Sequence, residues 1–282
     1  MAHRGQAVSQ YILDLPFKDY LAHKAFSSSD LKLLLQGSAK QLRARKDGLL
    51  PSKKSEALSV GSYHHCAILE PSELAARYSV VQKFDRKSEK AKARFAAIEV
   101  ETTAAGKELI WGSVEDIEAV AKEVRAHPQW THICGPEFLA ETSIFWEDEE
   151  TGLPLKMRAD GINPVWVQGE RMLIVDVKTA RSAELEQFTK DALRLQYDLS
   201  SSMYQAGALA HFGVPADFCW VACEKAVPFE VTVVFPSAGI QEHGRGLFRK
   251  ALTELAECVR TDTWLGYGKG LAQKAELPAW MR

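Results

Sequence analysis

The spacing of hydrophobic and polar positions changes from helical to strand-like along the chain. In residues 27–127, "SSSDLKLLLQ" opens with helix-capping residues before an apolar run, and "SVEDIEAVAKEVRAHP" repeats apolar positions at helical spacing. Residues 138–182 form shorter apolar segments separated by "DEETG", "NP" and "QGER". The pattern predicts a mainly helical first stretch, followed by three antiparallel strands.

The rest of the chain returns to helical spacing twice. We predict one helix in "AELEQFTKDALRLQYDLSSSMYQAGALAHFG", two strands in "DFCWVACEK" and "FEVTVVF", and an amphipathic helix in "IQEHGRGLFRKALTELAECVRTDTW". This order is typical of an α/β domain with a mixed sheet and an N-terminal helical elaboration. We therefore expect a single domain over residues 1–282, with a mainly helical part at 27–127 and the core at 138–282.

Composition narrows the class of protein. The chain has 282 residues, 46% of them hydrophobic and 26% charged, so it can bury a large core. None of its apolar runs approaches the ~20 residues that a bilayer crossing needs. Its five cysteines are odd in number and scattered, which suits a reducing compartment. We expect a soluble, cytoplasmic protein without a membrane partner.

Positive charge is concentrated in two runs, although the formal net charge is only −2. Residues 32–54 contain seven Lys or Arg against one acid, and residues 83–94 contain six against two. Such runs form either solvated helix faces or surfaces that contact the phosphates of a nucleic acid. Both interpretations stay open at this point.

A predicted core strand, "MLIVDVKTA", carries two charges. Side chains alternate along a strand, so Asp176 and Lys178 share one face, and Asp160 in "RAD" is expected on the preceding, neighbouring strand. A buried carboxylate is costly unless it is paired. Either Asp176 and Lys178 form a structural ion pair, or the two acids bind a hard cation such as Mg²⁺. A divalent ion beside an ammonium has the parts needed for phosphodiester hydrolysis.

These residues carry a resemblance to a known superfamily. "RAD" followed by "IVDVKTA" resembles the PD-(D/E)XK nuclease signature, with Asp160 as its first acid, Asp176 as its second and Lys178 as its lysine. "GSYHHCAILEP", "ETSIFWEDEETGLPLKMRADGI", "YDLSSSMYQAG", "FCWVACEKAVPFEVTVV" and "WLGYG" follow the order found in RecE-type exodeoxyribonucleases such as exodeoxyribonuclease VIII. The phage lambda-type alkaline exonucleases are similar at a greater distance. The resemblance implies a restriction-endonuclease-like core, in which helices flank a mixed central sheet.

The resemblance also implies an activity and partners. It suggests a Mg²⁺-dependent exonuclease, with Mn²⁺ as substitute, that digests the 5′ strand of linear double-stranded DNA and leaves 3′ overhangs for strand annealing. Its implied partners are double-stranded DNA ends, further copies of itself in a trimeric or tetrameric ring, and a RecT- or Bet-type annealing protein. The alternatives are a catalytically idle ring protein that grips DNA ends, another PD-(D/E)XK nuclease with a different end preference, and a scaffold whose buried charges are structural.

The family pattern assigns metal ligands in this sequence. "GSYHH" places His65 on the family's metal-binding histidine, although a histidine packed in the core is the alternative. Asp160 and Asp176 would supply carboxylates, Val177 its backbone carbonyl, and Lys178 the catalytic ammonium. Glu141 is a candidate for a second metal or a water molecule at the metal, and a surface carboxylate is its other interpretation.

Other positions match the family's DNA contacts. Tyr204 matches a family tyrosine, but Ser200 stands where the family usually has glutamine, and Gln196 lies one helical turn earlier. We expect these three residues near the DNA.

Three further residues are candidates for phosphate contacts. Arg158 is predicted to bind a phosphate or to pair with one of the acids. Ser28 and Ser29 stand at a helix start that favours an anion such as a 5′-phosphate, and ordinary N-capping is the alternative.

Overall fold

Two sheets organise the computed structural model, which describes residues 9–13, 15–50, 56–167, 170–277 and 281. The strands of the described residues are β1 (Gln10–Ile12), β2 (Tyr78–Val81), β3 (Glu108–Trp111), β4 (Leu139–Glu147), β5 (Pro154–Trp166), β6 (Arg171–Ala180), β7 (Ala216–Glu224) and β8 (Val231–Val234). Six of them form a central sheet in the order β1-β4-β5-β6-β7-β8. Its neighbouring strands are antiparallel except β6 and β7, which are parallel. Strands β2 and β3 form a separate parallel pair.

Helices cover both faces of the central sheet. They are α1 (Phe17–Ala22), α2 (Ser28–Gln36), α3 (Ala39–Lys46), α4 (Glu56–Leu69), α5 (Leu74–Arg77), α6 (Glu89–Ala104), α7 (Val114–Ala126), α8 (Trp130–Cys134), α9 (Leu185–Arg194), α10 (Tyr197–Phe212) and α11 (Ala238–Thr261), with 3₁₀ turns at Pro71–Glu73 and Tyr267–Gly270. Helices α2, α3, α9, α10 and α11 share one apolar cluster with the sheet, while α4, α7 and α8 share the other.

Strand β6 lies between these two clusters and is buried on both faces. Met172 and Ile174 belong to the cluster with α10 and α11, and Leu173 and Val175 belong to the cluster with α4 and α7. This alternation explains the nearly continuous apolar run of β6, because both faces of the strand are covered. Asp176 continues the row of Met172 and Ile174.

The α/β class and the mixed sheet are confirmed, and the three antiparallel strands predicted in 138–182 are β4, β5 and β6. The single helix expected after β6 is wrong, because α9 and α10 are separated at Leu195–Gln196, where Gln196 adopts φ 53°. The mainly helical first stretch also contains β2 and β3, each four residues long. Segments that short do not establish a period in the sequence.

Asp160 lies on the neighbour of β6, as expected, although the sequence pattern "RADGINP" also suggested that this strand ends close to Asp160. Strand β5 continues to Trp166, and the "NP" pair falls at a register irregularity between Asn163 and Trp166. A proline is tolerated at such an interruption of the hydrogen-bond ladder.

The structure also describes the cysteines and the hydropathy of the helices. All five cysteines are buried and free. Within the part of the chain that the structure describes, no helix combines the length and the hydropathy that a membrane crossing requires.

Candidate metal centre

Three neighbouring strands each present an acidic residue at the same level of the sheet. The registers of β4 with β5 and of β5 with β6 place Glu141, Asp160 and Asp176 side by side. Glu141 adopts a positive φ of 49°, which departs from the regular strand. The carboxylates therefore converge because of the strand order, although they are far apart in the sequence.

Helix α4 adds a histidine to this row. His65 Nδ1 lies 3.3 Å from Asp160 Oδ1, and ligand atoms of His65, Glu141 and Asp160 all lie within 4.8 Å of one another. The preceding His64 turns away from the site, is 2% exposed, and has its Nδ1 2.7 Å from the Val60 carbonyl oxygen. Successive helical residues point about 100° apart, so only one of the two histidines can face the carboxylates.

The pair expected in the buried strand is present but leaves one oxygen unsatisfied. Lys178 Nζ lies 2.6 Å from Asp176 Oδ1, whereas the buried Asp176 Oδ2 has no hydrogen-bond partner among the described residues. An unmet buried acceptor costs about 1–3 kcal/mol. A structural ion pair alone does not account for this oxygen, but a cation bound beside Asp176 would.

Asp160 is held by the backbone of β6. Its Oδ2 accepts a hydrogen bond of 2.7 Å from the Val177 N–H. Burial would raise the pKa of Asp160, but His65, Lys178 and the Val177 N–H outweigh it and lower that pKa to about 2. Asp160 is therefore ionised and available as a ligand.

The pKa values of Asp176 and His65 also shift, each in the direction that its surroundings explain. Burial and Asp160 raise the pKa of Asp176, although Lys178 acts against them. Burial would lower the pKa of His65, but Asp160 outweighs it and raises that pKa. The negative charge of Asp160 thus raises the pKa of both Asp176 and Glu141, and a divalent cation relieves such repulsion between carboxylates.

Arg158 contacts one of the site acids. Its Nε donates to Glu141 Oε2 at 2.6 Å, and its terminal nitrogen donates to the Leu15 carbonyl at 2.6 Å and to Ser143 Oγ at 3.2 Å. The structure thus shows the ion pair that was the alternative to a phosphate contact. Burial and Asp160 raise the pKa of Glu141, while Arg158 opposes them.

Helix α10 brings Tyr204 to the same region. Burial raises the pKa of Tyr204 well above its ordinary value, and Tyr20, Asp176 and Asp160 act in the same direction. A hydrogen bond with Ser28 has the opposite effect. Tyr204 therefore lies within electrostatic range of Asp160 and Asp176, with Ser28 as a hydrogen-bond partner.

The two other α10 candidates are less accessible. Ser200 is 7% exposed, and the buried Gln196 Oε1 lacks a hydrogen-bond partner in the described part of the chain. Their contact with DNA stays a prediction.

An internal carboxylate occupies the start of α2. The Ser27 N–H and hydroxyl donate to Asp30 Oδ2 at 2.8 and 3.0 Å, which forms a capping box. Ser28 is buried and Ser29 is exposed. The 5′-phosphate contact expected at Ser28 and Ser29 stays a prediction, and N-capping already satisfies this helix end.

Several side chains of the first basic run, residues 32–54, form ion pairs within the protein. Arg45 and Lys46 lie 2.6 and 3.8 Å from Asp30, and Arg43 pairs with Asp47. Lys53 and Lys54 lie outside the described residues.

The second basic run is built differently. Arg86 lies over the rings of Phe95 and Trp111, at 4.3 and 4.8 Å from their centroids, and Arg94 lies over Phe84 at 4.7 Å. Stacking fixes the plane of a guanidinium and leaves its N–H edge available. This run fits a nucleic-acid surface better than the first run does.

Sequence reasoning counted Lys32 only as a member of the first basic run and did not single out Tyr197, although the two residues contact each other beside Lys178. Lys32 Nζ lies 5.0 Å from the centroid of the Tyr197 ring, and Lys178 Nζ lies 5.3 Å from the same centroid. The available signal was the placement of Lys32 inside an apolar helical run, where a charge is as unusual as Lys178 in its strand.

Comparisons with known proteins agree with this geometry. A family model described as a PDDEXK-like domain of unknown function, DUF3799, matches residues 27–273. A crystal structure from Eubacterium rectale, of a protein provisionally described as an exonuclease, superposes with a TM-score of 0.58 at 13% identity and covers 95% of this chain and 97% of that chain. At this identity, the similarity shows the fold alone.

Other comparisons show less similarity. The structure named SSO0001 reaches a TM-score of only 0.34 at 11% identity, over 84% of this chain and 82% of that chain. No curated protein matches the sequence at a significant level.

Proposed function

We propose, from the premise that this chain belongs to the PDDEXK-like domain family DUF3799, that it is a metal-dependent nuclease acting on DNA. The observation that carries the proposal is the buried Asp176 Oδ2, which lacks a partner among the described residues although its other oxygen meets Lys178. An oxygen left open in a row of converging acids fits a metal ligand better than a finished ion pair.

The residues present suit a hard divalent cation. Ligand atoms of His65, Glu141 and Asp160 lie within 4.8 Å of one another. Asp176, which is not in that group of three, and the Val177 carbonyl would complete the ligands from β6, and Glu141 would bind the ion directly or through water. Mg²⁺, or Mn²⁺ in its place, supplies Lewis acidity toward a phosphoryl oxygen. Carboxylates on three rigid strands position such an ion with little reorganisation.

Lys178 acts beside the metal as a cation. Burial would lower the pKa of Lys178, but Asp176 and Asp160 outweigh it and raise that pKa. As an ammonium, Lys178 would orient the phosphate and stabilise the negative charge that grows on it.

We further propose that the enzyme is an exonuclease that digests the 5′ strand of linear duplex DNA. The support is the order of segments shared with RecE-type enzymes, together with a fold neighbour provisionally described as an exonuclease. A ring of three or four copies, and an annealing protein of the RecT or Bet type that takes the 3′ strand, complete this proposal. A ring would keep the substrate tethered between successive cuts.

End-labelled DNA tests the proposed polarity. Duplexes labelled at the 5′ or at the 3′ end are incubated with Mg²⁺, beside a covalently closed circle as the control. We expect rapid release of the 5′ label as mononucleotide, late release of the 3′ label, and an intact circle. Cutting of the circle at a similar rate would identify a different PD-(D/E)XK nuclease, and tight binding to ends without cleavage would favour the idle ring protein.

A further inference from the structure

Lys32 of α2 is a part-buried lysine without an acidic partner in the described part of the chain. Its interaction there is with the Tyr197 ring, 5.0 Å from the ammonium to the centroid. Burial lowers the pKa of Lys32 to about 8, Lys178 acts in the same direction, and Asp176 and Asp198 oppose them. The ammonium is therefore within electrostatic range of the metal centre, and both burial and a like charge disfavour it.

The position of Lys32 is fixed by packing between elements. Gln36, one turn further along α2, donates through Nε2 to the Arg194 carbonyl at 3.0 Å. Arg194 ends α9, and Tyr197 begins α10 three residues later. Helix α2 is thus tied to the α9–α10 connection, which holds Lys32 over Tyr197. The same ring lies 5.3 Å from Lys178 Nζ.

A cavity of about 250 Å³ opens beside this pair. Its lining includes Tyr197 and three cationic side chains, those of Lys178, Arg181 and Arg194, and also Asp191. Asp191 lies 3.2 Å from Arg194 and 3.7 Å from Arg181. Asp176 pairs with Lys178 from outside this lining, so two acids face three cations, and Lys32, which contacts the Tyr197 ring without lining the cavity, adds a fourth positive charge nearby.

We infer that Lys32, Tyr197 and Lys178 form a phosphate subsite, which holds a phosphate of the substrate strand other than the one being cleaved. The inference rests on the proposed function and adds a binding residue to it. An arriving phosphate supplies the negative charge that Lys32 lacks, so a lysine that is unfavourable in the free protein becomes favourable in the complex. The phosphate is either a terminal 5′-phosphate or an internal phosphodiester.

Binding without catalysis tests the subsite. Anisotropy of a labelled duplex is measured in EDTA for the parent chain, for Lys32→Met, which keeps the apolar stem, and for Lys40→Met, an exposed lysine of the same basic run, as the control. We expect Lys32→Met to weaken binding about five- to tenfold, as for the loss of one charge-assisted contact, and Lys40→Met to change it by less than about twofold. Equal affinity of the parent chain and Lys32→Met would overturn the subsite.

The source of the phosphate follows from the same assay. If the effect of Lys32→Met is confined to 5′-phosphorylated duplex and absent for 5′-hydroxyl duplex, the ligand is the terminal phosphate. If both duplexes are affected equally, the ligand is an internal phosphodiester. Either pattern supports the subsite.

Thermal unfolding separates binding from a structural role. Because Lys32 is part-buried beside a like charge, we expect Lys32→Met to melt at the same temperature as the parent chain or higher, while it binds DNA less well. A lower melting temperature together with unchanged affinity would show a structural lysine instead.

Lysine labelling in the parent chain covers the case in which the variant does not fold. Acetylation of Lys32, read by mass spectrometry, should slow at least about threefold when duplex DNA is added in EDTA, as expected if bound phosphate occupies most of the sites. Acetylation at an unchanged rate would contradict the subsite. All these readouts are independent of cleavage: DNA binding through Lys32 by a protein that never cuts DNA would sink the proposed function and keep the subsite.

Discussion

At the scale of single residues, the account depends on which charges inside the sheet have partners. Asp160 receives a backbone hydrogen bond and faces His65, while Asp176 has one paired and one unpaired oxygen. These differences give the two acids and Lys178 separate roles, and variants can tell the roles apart.

Removing an acid should remove the metal, whereas removing the lysine should spare it. Asp160→Ala and Asp176→Ala should each reduce DNA cleavage at least about 1000-fold and abolish Mn²⁺ binding in calorimetry, and Lys178→Ala should lose a similar rate yet still bind Mn²⁺. Cleavage by Lys178→Ala at the parental rate would show that the role given to this lysine is wrong.

The variant Glu141→Gln tests whether Glu141, which lies next to His65 and Asp160, takes part in metal binding. Because its ligand atom lies within 4.8 Å of those of His65 and Asp160, Glu141→Gln should weaken Mn²⁺ binding by about 10–100-fold, the range for groups that support a metal site. Glu147→Gln on the same strand, whose side chain is exposed, is the matched control. Identical metal affinity of both variants would remove Glu141 from the centre.

Sequence reasoning reached Asp160, Asp176 and Lys178 because a charge in a core strand is conspicuous. It left Glu141 and Arg158 open, since their ion pair depends on the register of β4 with β5. Lys32 was counted only as a member of the first basic run, because nothing in the sequence shows that its side chain lies over Tyr197 at the start of α10.

At the scale of elements, β5 is positioned by a close contact at Gly161. A Cβ built there would lie 1.9 Å from the Phe138 ring, so Gly161→Ala should destabilise the protein by about 1–3 kcal/mol and disturb the adjacent Asp160. Gly246→Ala in α11, where a Cβ meets open space, should instead stabilise by about 0.5–1 kcal/mol. Urea unfolding of the two variants checks both signs, and equal stability would refute the contact.

An ion pair links the turn between β4 and β5 to α11, and its contribution to stability should depend on pH in a predictable way. Arg249 donates to Asp148 at 2.7 and 3.0 Å. Burial would raise the pKa of Asp148, but hydrogen bonds from Arg249 and Thr151 lower it below the ordinary 3.8.

A group whose pKa is lowered in the folded state stabilises the protein at pH values above its unfolded-state pKa. That contribution is lost as the pH falls through the folded-state pKa. Asp148→Asn should therefore cost about 1–3 kcal/mol at pH 7, and the difference from the parent chain should shrink below about pH 3.8. Thermal melts from pH 7 to pH 2.5 measure this trend. A pH-independent difference would mean that the carboxylate charge does not contribute.

Helices and strands were predicted well where the hydrophobic periodicity extended over many residues. Strands β4 to β6 and helix α11 follow from their periodicity, but the break between α9 and α10 does not, because it depends on the left-handed conformation of Gln196. The pairing of β2 with β3 is a contact between four-residue segments about 30 positions apart, which no local pattern encodes.

At the scale of the whole molecule, DNA is expected to meet the second basic run, where Arg86 and Arg94 stack on aromatic rings. The double variant Arg86→Ala, Arg94→Ala should reduce the salt dependence of duplex binding by about two phosphate contacts. Lys107→Ala with Lys122→Ala offers a matched loss of charge elsewhere. An unchanged salt slope in the arginine variant would exclude this surface, and light scattering would report the size of any ring.

Anomalous scattering from a crystal soaked in Mn²⁺ shows directly whether the acids of β5 and β6 bind a metal ion. We expect a peak among the side chains of His65, Asp160 and Asp176, close to the Val177 carbonyl, and no such peak in Asp160→Ala. A protein that degrades DNA but holds no ion between these two acids would contradict this expectation.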